Sequence, residues 1–194
     1  MRPTTGASDV VLDANVLVRL VVPGDYEQQA ETLWNQLISS GQLCAVPSFC
    51  PAEVISSLRQ MGRAGSITPE REEQALEEFL MDIRPVLITL DTQELIRATW
   101  QIARDLNERH TYDSVYLAVA RAFELEFWTA DQQLLRRLNG RFPEARFLGD
   151  YPLAPSRPEP AYGSSHCPSL LISSISSSTP RSAETIFFTI SRPR

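Results

Sequence analysis

Short apolar runs alternate with longer amphipathic patterns from residue 9 to about residue 150, and this alternation constrains the fold more than any other feature. The short runs suit buried strands, and the segments between them have the apolar spacing of helices. Strands that alternate with helices predict an α/β fold with a mainly parallel sheet covered on both faces. The five predicted strands are DVVL (9–12), LCAV (43–46), PVLITL (85–90), FWTA (127–130) and ARFL (145–148).

The helices on either side of LCAV are predicted from apolar spacing and capping residues. Residues 26–38 carry apolar side chains three and four residues apart, and this helix is expected to end near Gly41. Ser48 is expected to cap the next helix, which has Pro51 in its first turn and runs to about Met61.

Two further helices are predicted on either side of PVLITL. Thr68 as N-cap, followed by Pro69 and a group of glutamates, indicates the start of the first. Asp91 and Glu94 have the spacing of a capping box and are expected to begin the second. The expected buried faces are Ala75, Leu76, Phe79 and Leu80 in the first helix, and Leu95, Ile96, Trp100, Ile102 and Leu106 in the second.

The composition changes after residue 154. Residues 155–194 contain eleven serines and six prolines, and their apolar stretches LLI and IFF are too isolated to build a core. The sequence therefore predicts one α/β domain over residues 1–154, followed by a disordered or interaction segment over residues 155–194.

Charge and hydropathy exclude several classes of protein. No run approaches the roughly 18 apolar residues that span a bilayer, and no secretory signal is recognisable, so a soluble cytoplasmic protein is expected. The net charge of −6 argues against a high-affinity, sequence-reading DNA-binding module. A nuclease remains compatible, because bound metal ions supply positive charge where carboxylates cluster.

The cysteines indicate neither a zinc site nor a disulfide framework, because the chain has three of them at unsuitable spacings. Cys44 and Cys50 have apolar neighbours and are predicted to be buried thiols.

Four acidic residues occupy positions at which α/β folds bind ligands. Asp13 ends the first strand, Asp131 follows FWTA, and Glu53 and Asp113 fall in the early turns of predicted helices. Open parallel sheets bind ligands beyond the carboxyl ends of their strands, so these acids can converge. Asp131 could instead be only a helix cap, Asp113 a partner of a helix dipole and Glu53 a solvated side chain. Asp13 is harder to explain in that way, since a carboxylate between VVL and ANVLV is costly unless it is paired or metal-bound.

A cluster of this kind suits a divalent-metal site. Neighbouring carboxylates repel one another unless a cation neutralises them, and hard oxygen ligands select Mg²⁺ or Mn²⁺. One or two such ions can hold a phosphodiester, activate a water and stabilise the leaving oxygen. This chemistry needs no histidine, which fits a chain whose two histidines are His110 and His166.

The segments that contain the acids resemble a known family. VVLDANVLVRL, PAEV (51–54), TYDSVYLAVA (111–120) and WTADQQL (128–134) are similar, in this order, to the four signature blocks of PIN domains. The similarity is closest to the VapC-like toxins of bacterial toxin–antitoxin pairs and spans roughly residues 9–150. It implies a three-layer α/β/α sandwich around a short parallel sheet, and endoribonuclease activity that depends on Mg²⁺ or Mn²⁺. An RNA substrate, a small antitoxin partner and a homodimer are further implications of the same resemblance.

The resemblance also assigns roles to individual residues. Asn15, two residues after the first acid, corresponds to a residue that helps to orient the acids, and Thr129 to a recurring hydroxyl residue. The long serine-rich tail departs from the family pattern. Carried over by position, the catalytic and metal-binding acids are Asp13, Glu53, Asp113 and Asp131.

Aromatic and basic residues near Asp113 have two interpretations each. Arg109, His110 and Tyr112 could contact an RNA backbone or stack on a base, or they could form a solvated loop. Tyr116 lies one turn beyond Asp113, and core packing is its better explanation.

The apolar stripe of Trp34, Leu37 and Ile38 is expected to be core, although exposed positions on the early helices could receive an antitoxin peptide.

Other phosphate chemistries are less compatible with the residues. Receiver and haloacid-dehalogenase-like domains need a lysine, and the chain has none; the latter also needs an aspartate where Asn15 stands. A flap-type DNA nuclease usually has more acids and a larger basic surface. A PIN-like scaffold that serves only as a protein-interaction module stays open, because spacing cannot prove that the four acids meet.

Overall fold

Five strands form one sheet in the computed structural model, which describes residues 9–153. Each strand follows one of the predicted apolar runs within two residues at either end, and the four strand pairs in the described residues are parallel. The strands are Val10–Leu12 (β1), Cys44–Pro47 (β2), Leu87–Leu90 (β3), Glu126–Thr129 (β4) and Ala145–Phe147 (β5).

Seven α-helices connect and cover these strands in the described part of the chain. A π-helical turn at Phe79–Ile83 and short 3₁₀ segments at Arg84–Val86 and Leu148–Asp150 complete the regular structure. In residues 9–153, no helix has the length and apolar character needed to cross a membrane. The helices are Ala14–Val21 (α1), Glu27–Ser40 (α2), Cys50–Arg63 (α3), Pro69–Glu78 (α4), Gln93–Asp105 (α5), Tyr112–Phe123 (α6) and Gln132–Leu138 (α7).

The strand order is β3-β2-β1-β4-β5, so the direction of winding reverses between β1 and β4. The first half of the chain builds the sheet from β1 towards β3, and the second half returns to the other side of β1. In open parallel sheets, such a switch point leaves a crevice at the carboxyl ends of the two strands. The topology therefore makes the ends of β1 and β4 the candidate position for a ligand site.

The fold is a three-layer α/β/α sandwich, as the sequence predicted. Crossovers between parallel strands are right-handed as a rule, so the reversal of winding places the helices of the two halves on opposite faces of the sheet. In the first half α1 packs with α2, α3 and α4, and in the second half α6 packs on β1, β2 and β4 and supports α5. The sheet is short and covered on both sides, which explains why its central strands are apolar runs without alternation.

Several helix boundaries were predicted well. Thr68 caps α4 by accepting a hydrogen bond from the Arg71 backbone N–H (3.3 Å), and Pro69 is the first helical residue. Gly41 ends α2 in the left-handed conformation, with φ of 66°. This conformation carries no steric penalty in glycine, which explains the choice of residue.

Two predicted caps are wrong, and one contact explains both. The Ser48 hydroxyl donates to Asp91 Oδ2 (3.2 Å), and the Ser48 backbone N–H donates to the Leu90 carbonyl (3.1 Å). The pairing of β2 with β3 thus continues past the strand ends and occupies both predicted capping side chains. Helix α3 begins after Phe49, with no side-chain cap, and Thr92 caps α5 by accepting from the Leu95 N–H.

The predicted buried faces of the two later helices are only partly correct. Ala75 and Phe79 are buried, but Leu80 is exposed because the helix changes to a π-helical turn at Phe79 and its faces rotate. In α5, Leu95 and Ile102 are buried, whereas the predicted core residues Ile96 and Trp100 are 64% and 54% exposed.

The predictions for the apolar stripe of α2 were partly correct, and those for the two cysteines near β2 were correct. Leu37 is buried and Trp34 packs against the core, but Ile38 is half exposed, so the prediction that it is core was wrong. Cys44 and Cys50 are free, buried thiols, as predicted. The predicted tail, residues 155–194, lies outside the described residues.

Candidate active site at the ends of β1 and β4

Asp13 lies at the switch point of the sheet. It follows β1 directly, and its backbone N–H donates to the carbonyl of Trp128 in β4 (3.0 Å). The backbone is extended there and turns at once into α1, for which Asp13 is the N-cap. The residue is 7% exposed, so the strand end holds a carboxylate almost entirely inside the protein.

Three hydrogen bonds fix the Asp13 carboxylate. The Thr129 hydroxyl donates to Oδ2 (2.7 Å), the Asn15 amide Nδ2 donates to Oδ2 (2.8 Å), and the Asn15 backbone N–H donates to Oδ1 (3.3 Å). Asn15 also accepts from the Ala130 N–H (2.9 Å), while the Thr129 hydroxyl accepts from the Asp131 N–H (3.0 Å). This closed network ties the first turn of α1 to the end of β4.

Burial and neighbouring acids disfavour the charged form of Asp13. The pKa of Asp13 is raised to about 7, first by desolvation and also by the charges of Glu53 and Asp113, against the opposing effect of the hydrogen bonds from Thr129 and Asn15. A carboxylate with this pKa is half protonated near neutral pH. Such perturbed acids in a crevice are candidates for function.

Glu53 extends from the first turn of α3, which starts three residues after β2 ends. Its Oε2 accepts a hydrogen bond from the hydroxyl of Tyr116 in α6 (2.8 Å). Burial raises the Glu53 pKa, the Tyr116 hydrogen bond lowers it, and the charge of Asp113 raises it. The tyrosine is 1% exposed, and it aligns Glu53 across the gap between two helices.

Asp113, the second residue of α6, is paired with a cation. Arg137 in α7 donates to Asp113 Oδ2 (2.6 Å), and the same nitrogen lies 3.9 Å from Glu108 Oε1. Burial raises the Asp113 pKa, as do the charges of Glu108 and Asp131, while Arg137 lowers it. The Arg137 side chain is 51% exposed, so solvent weakens this ion pair.

Asp131 caps α7, as the sequence predicted. Its Oδ1 accepts from the backbone N–H groups of Gln133 (2.7 Å) and Leu134 (3.0 Å). The residue lies two positions after β4, close enough for its charge to act on Asp113. Its carboxylate therefore has a structural partner already, in addition to any role at the site.

The four acids influence one another electrostatically but do not form a ready coordination sphere. Among residues 9–153, no three acidic, histidine or cysteine side chains are arranged as ligands of one metal ion. The donor chemistry nevertheless fits a hard cation, since oxygen atoms are the ligands that Mg²⁺ and Mn²⁺ prefer. The raised pKa values of Asp13, Glu53 and Asp113 reflect repulsion and burial that a bound cation would offset.

The PIN domain profile matches residues 10–140, which is most of the chain. The chain belongs to the PIN domain family. The match includes all four acids and both strands at the switch point, so the predicted resemblance to PIN domains is confirmed.

Solved structures share the fold of this PIN domain. PAE2754 from Pyrobaculum aerophilum is 18% identical with a TM-score of 0.51, covering 73% of this chain and 90% of that one. FitAcB from Neisseria gonorrhoeae is 18% identical with a TM-score of 0.50, covering 67% and 93%. VapBC2 from Rickettsia felis, bound to a DNA fragment from their promoter, is 16% identical with a TM-score of 0.50, covering 71% and 96%. At these identities the likeness establishes the fold alone. No curated protein matches the chain in sequence.

Two residues of the candidate site escaped the sequence analysis. Tyr116 was interpreted as core packing; it is buried, but its hydroxyl also aligns Glu53. Its position one turn after Asp113 was the only local signal. Arg137 had no signal at all, because its pairing with Asp113 depends on how α7 packs beside α6.

Proposed function

We propose that this PIN domain is a divalent-metal-dependent endoribonuclease with Asp13, Glu53, Asp113 and Asp131 as its catalytic acids. The observation that carries the proposal is the buried Asp13 carboxylate at the switch point, whose pKa is raised to about 7 beside two further acids. A protein gains no stability from burying a carboxylate among like charges. The arrangement is therefore best explained as a site prepared for a cation.

Each residue has a separate task in this proposal. Asp13, Glu53 and Asp113 would hold Mg²⁺ or Mn²⁺, and Asp131 would complete the site directly or through water. The bound cation would supply the positive charge that positions the phosphodiester and activates the attacking water. Arg137 occupies only Oδ2 of Asp113, and a carboxylate has a second oxygen for a cation.

The neighbouring polar residues hold the acids in place. Asn15 and Thr129 fix the orientation of Asp13 through its two oxygens, and Tyr116 fixes Glu53. Partners of this kind around metal ligands typically change activity by about 10–100-fold when they are removed.

The direct test is cleavage of labelled RNA by the purified full chain with Mg²⁺, with Mn²⁺ or with EDTA. Cleavage should need either ion, and Asp13→Asn and Asp113→Asn should each lose more than about 100-fold, exceeding the loss of an outer partner. Asp25→Asn, an exposed acid outside the site, is the matched control. Folded Asp13 and Asp113 variants that cleave at the wild-type rate would overturn the assignment.

A catalytically silent interaction module is the second candidate, and the pairing of Asp113 with Arg137 favours it. An arginine on a catalytic acid can replace a lost metal electrostatically. Calorimetric titration with Mn²⁺ alone separates the two, because a nuclease site should bind the ion in wild type and lose it in Asp13→Asn. A silent module would show no binding that depends on Asp13.

We further propose that the nuclease is the toxin of a type II toxin–antitoxin pair in the cytoplasm, acting as a homodimer with a small antitoxin. The resemblance of its four blocks to VapC-like toxins supports this, as does the shared fold with VapBC2. Induced expression should arrest growth of a bacterial host, and Asp13→Asn or a small protein encoded directly upstream should relieve the arrest. Cleavage without growth arrest would remove the toxin role and keep the nuclease.

A further inference from the structure

A surface groove opens beside Asp113 at the start of α6. It encloses about 460 Å³, within the range of about 300–1,000 Å³ that is usual for ligand sites. The segment that precedes α6 forms one wall, with Arg109 and His110, and Arg137 of α7 forms another. Asp113 itself lines the groove, so a bound molecule would lie against a catalytic acid of the proposed site.

The groove has an exposed aromatic platform. Tyr112 is the first residue of α6 and is 60% exposed. Its aromatic ring therefore contributes little to the core and faces the groove. Its ring lies 6.0 Å from the ring of Phe49 and 6.1 Å from that of His110, with 26° between the planes of the latter pair. The Phe49 ring packs against the tyrosine at a tilt of 59°, and the histidine ring is stacked nearly parallel to it.

Cations border the same platform. Arg109 is exposed, and the half-exposed Arg137 is held at the groove by Asp113 and Glu108. Glu108 is itself fixed by the Ser114 hydroxyl, which donates to Oε2 (2.6 Å). Two guanidinium groups thus lie beside aromatic rings in a chain whose net charge is −6. Guanidinium groups suit phosphate oxygens, and aromatic faces suit bases.

We propose that this groove is a nucleotide subsite for single-stranded RNA. A base would stack on the platform of Tyr112 and His110, and the adjoining phosphate would lie between Arg109 and Arg137. The next phosphate of the strand would then lie near the cation that Asp113 would hold in the proposed nuclease. The position of the cut rests on the proposed nuclease function, whereas the stacking and phosphate contacts rest on the groove alone. Stacking of this kind is tolerant of base identity, so the subsite gives affinity rather than sequence specificity.

The test uses the full chain in EDTA and a short single-stranded oligoribonucleotide that contains 2-aminopurine, whose fluorescence is quenched by stacking. Wild type should quench the probe. Tyr112→Ala should weaken binding about 5- to 100-fold and abolish the quench, while Tyr112→Phe should retain both. Arg109→Ala should reduce the slope of log K against log salt by about 0.7, the loss of one phosphate contact. Trp100→Ala, which removes an exposed ring of α5 outside the groove, is the control and should bind as wild type.

Unchanged affinity and quenching in Tyr112→Ala would overturn the subsite and leave the surface to a protein partner. Cleavage with Mg²⁺, measured on the same variants, separates this result from failure of the proposed function. If wild type cuts RNA and Tyr112→Ala still binds normally, the subsite is wrong and the nuclease stands. If binding depends on Tyr112 but no ion supports cleavage, the subsite stands and the nuclease is wrong.

Discussion

The two ends of the candidate site are held in different ways. At the switch point, Asp13 is buried and receives three hydrogen bonds from a network that joins β4 to α1. At the start of α6, Asp113 depends on a half-exposed ion pair with Arg137. The first arrangement fixes a carboxylate before any ligand arrives, and the second lets a carboxylate exchange partners. In the proposed nuclease, Asp13 would therefore be the fixed acid and Asp113 the adaptable one.

The largest expected effect is the pH dependence of stability at the fixed end. Without metal, folded Asp13 keeps its proton up to its pKa of about 7, whereas an unfolded aspartate loses it near the ordinary pKa of 3.8. Its contribution is therefore complete below about pH 4 and is lost as the pH rises through 7. The free energy of unfolding should fall by about 4 kcal/mol over this range.

Urea denaturation in EDTA between pH 4 and 8 measures this slope. Asp13→Asn should remove most of it, since an amide does not titrate, and Asp25→Asn should leave it unchanged. If the free energy of unfolding changes equally with pH in wild type and in Asp13→Asn, the Asp13 carboxyl is not a desolvated group with a raised pKa.

Removal of the Thr129 hydroxyl is expected to have the next largest effect. Thr129→Val keeps the shape of the side chain but deprives the buried Asp13 carboxylate of a donor, and should cost about 1–3 kcal/mol of stability. RNA cleavage should fall about 10–100-fold. Thr129→Ser keeps the hydroxyl and should recover most of the cleavage rate; if it performs no better than valine, the hydrogen bond is not what matters.

Tyr116→Phe should have a smaller effect, because Glu53 is only half-buried and water can replace the lost donor. The expected loss is about 1 kcal/mol in the free energy of unfolding. The rate of RNA cleavage should fall by more than the small loss of folded protein explains, because the ring remains packed while Glu53 loses the hydrogen bond that aligns it. An unchanged cleavage rate in a folded Tyr116→Phe protein would show that Tyr116 serves only the core.

The smallest effect on stability is expected at the adaptable end. Arg137→Gln breaks a solvent-screened ion pair and should change the free energy of unfolding by less than about 1 kcal/mol. A loss above about 2 kcal/mol in urea denaturation would contradict the comparison, because it would make the Asp113 end as firmly built as the Asp13 end.

The sequence predicted those features of the fold and site that depend on neighbours along the chain. Asp13 was singled out because it follows an apolar run that predicts a strand, whereas Asn15 and Thr129 were assigned only through the resemblance to PIN domains. The structure joins the three by hydrogen bonds. The cap of α7 by Asp131 likewise depends on neighbours along the chain.

Features that depend on tertiary contacts were missed. The bond from Tyr116 to Glu53 spans 63 residues and that from Arg137 to Asp113 spans 24, and neither can be read from spacing. The Ser48–Asp91 contact likewise overrode two reasonable local predictions of helix caps. Ile96 and Trp100 were wrongly predicted to be buried for a similar reason. Apolar periodicity identifies an apolar helix face but does not show whether another element covers it.

The two buried thiols, Cys44 and Cys50, can report which segments of the fold open first. Cys50 is the first residue of α3, three residues before Glu53, and burial raises its pKa to about 12. Cys44 is the first residue of β2, and its pKa is also raised by burial. In a variant with Cys167 changed to serine, alkylation of each thiol must await exposure of its own segment. Faster alkylation of Cys50 than of Cys44 would mean that the start of α3 opens locally while the sheet stays folded. Equal rates would mean that both thiols become exposed in the same opening of the fold.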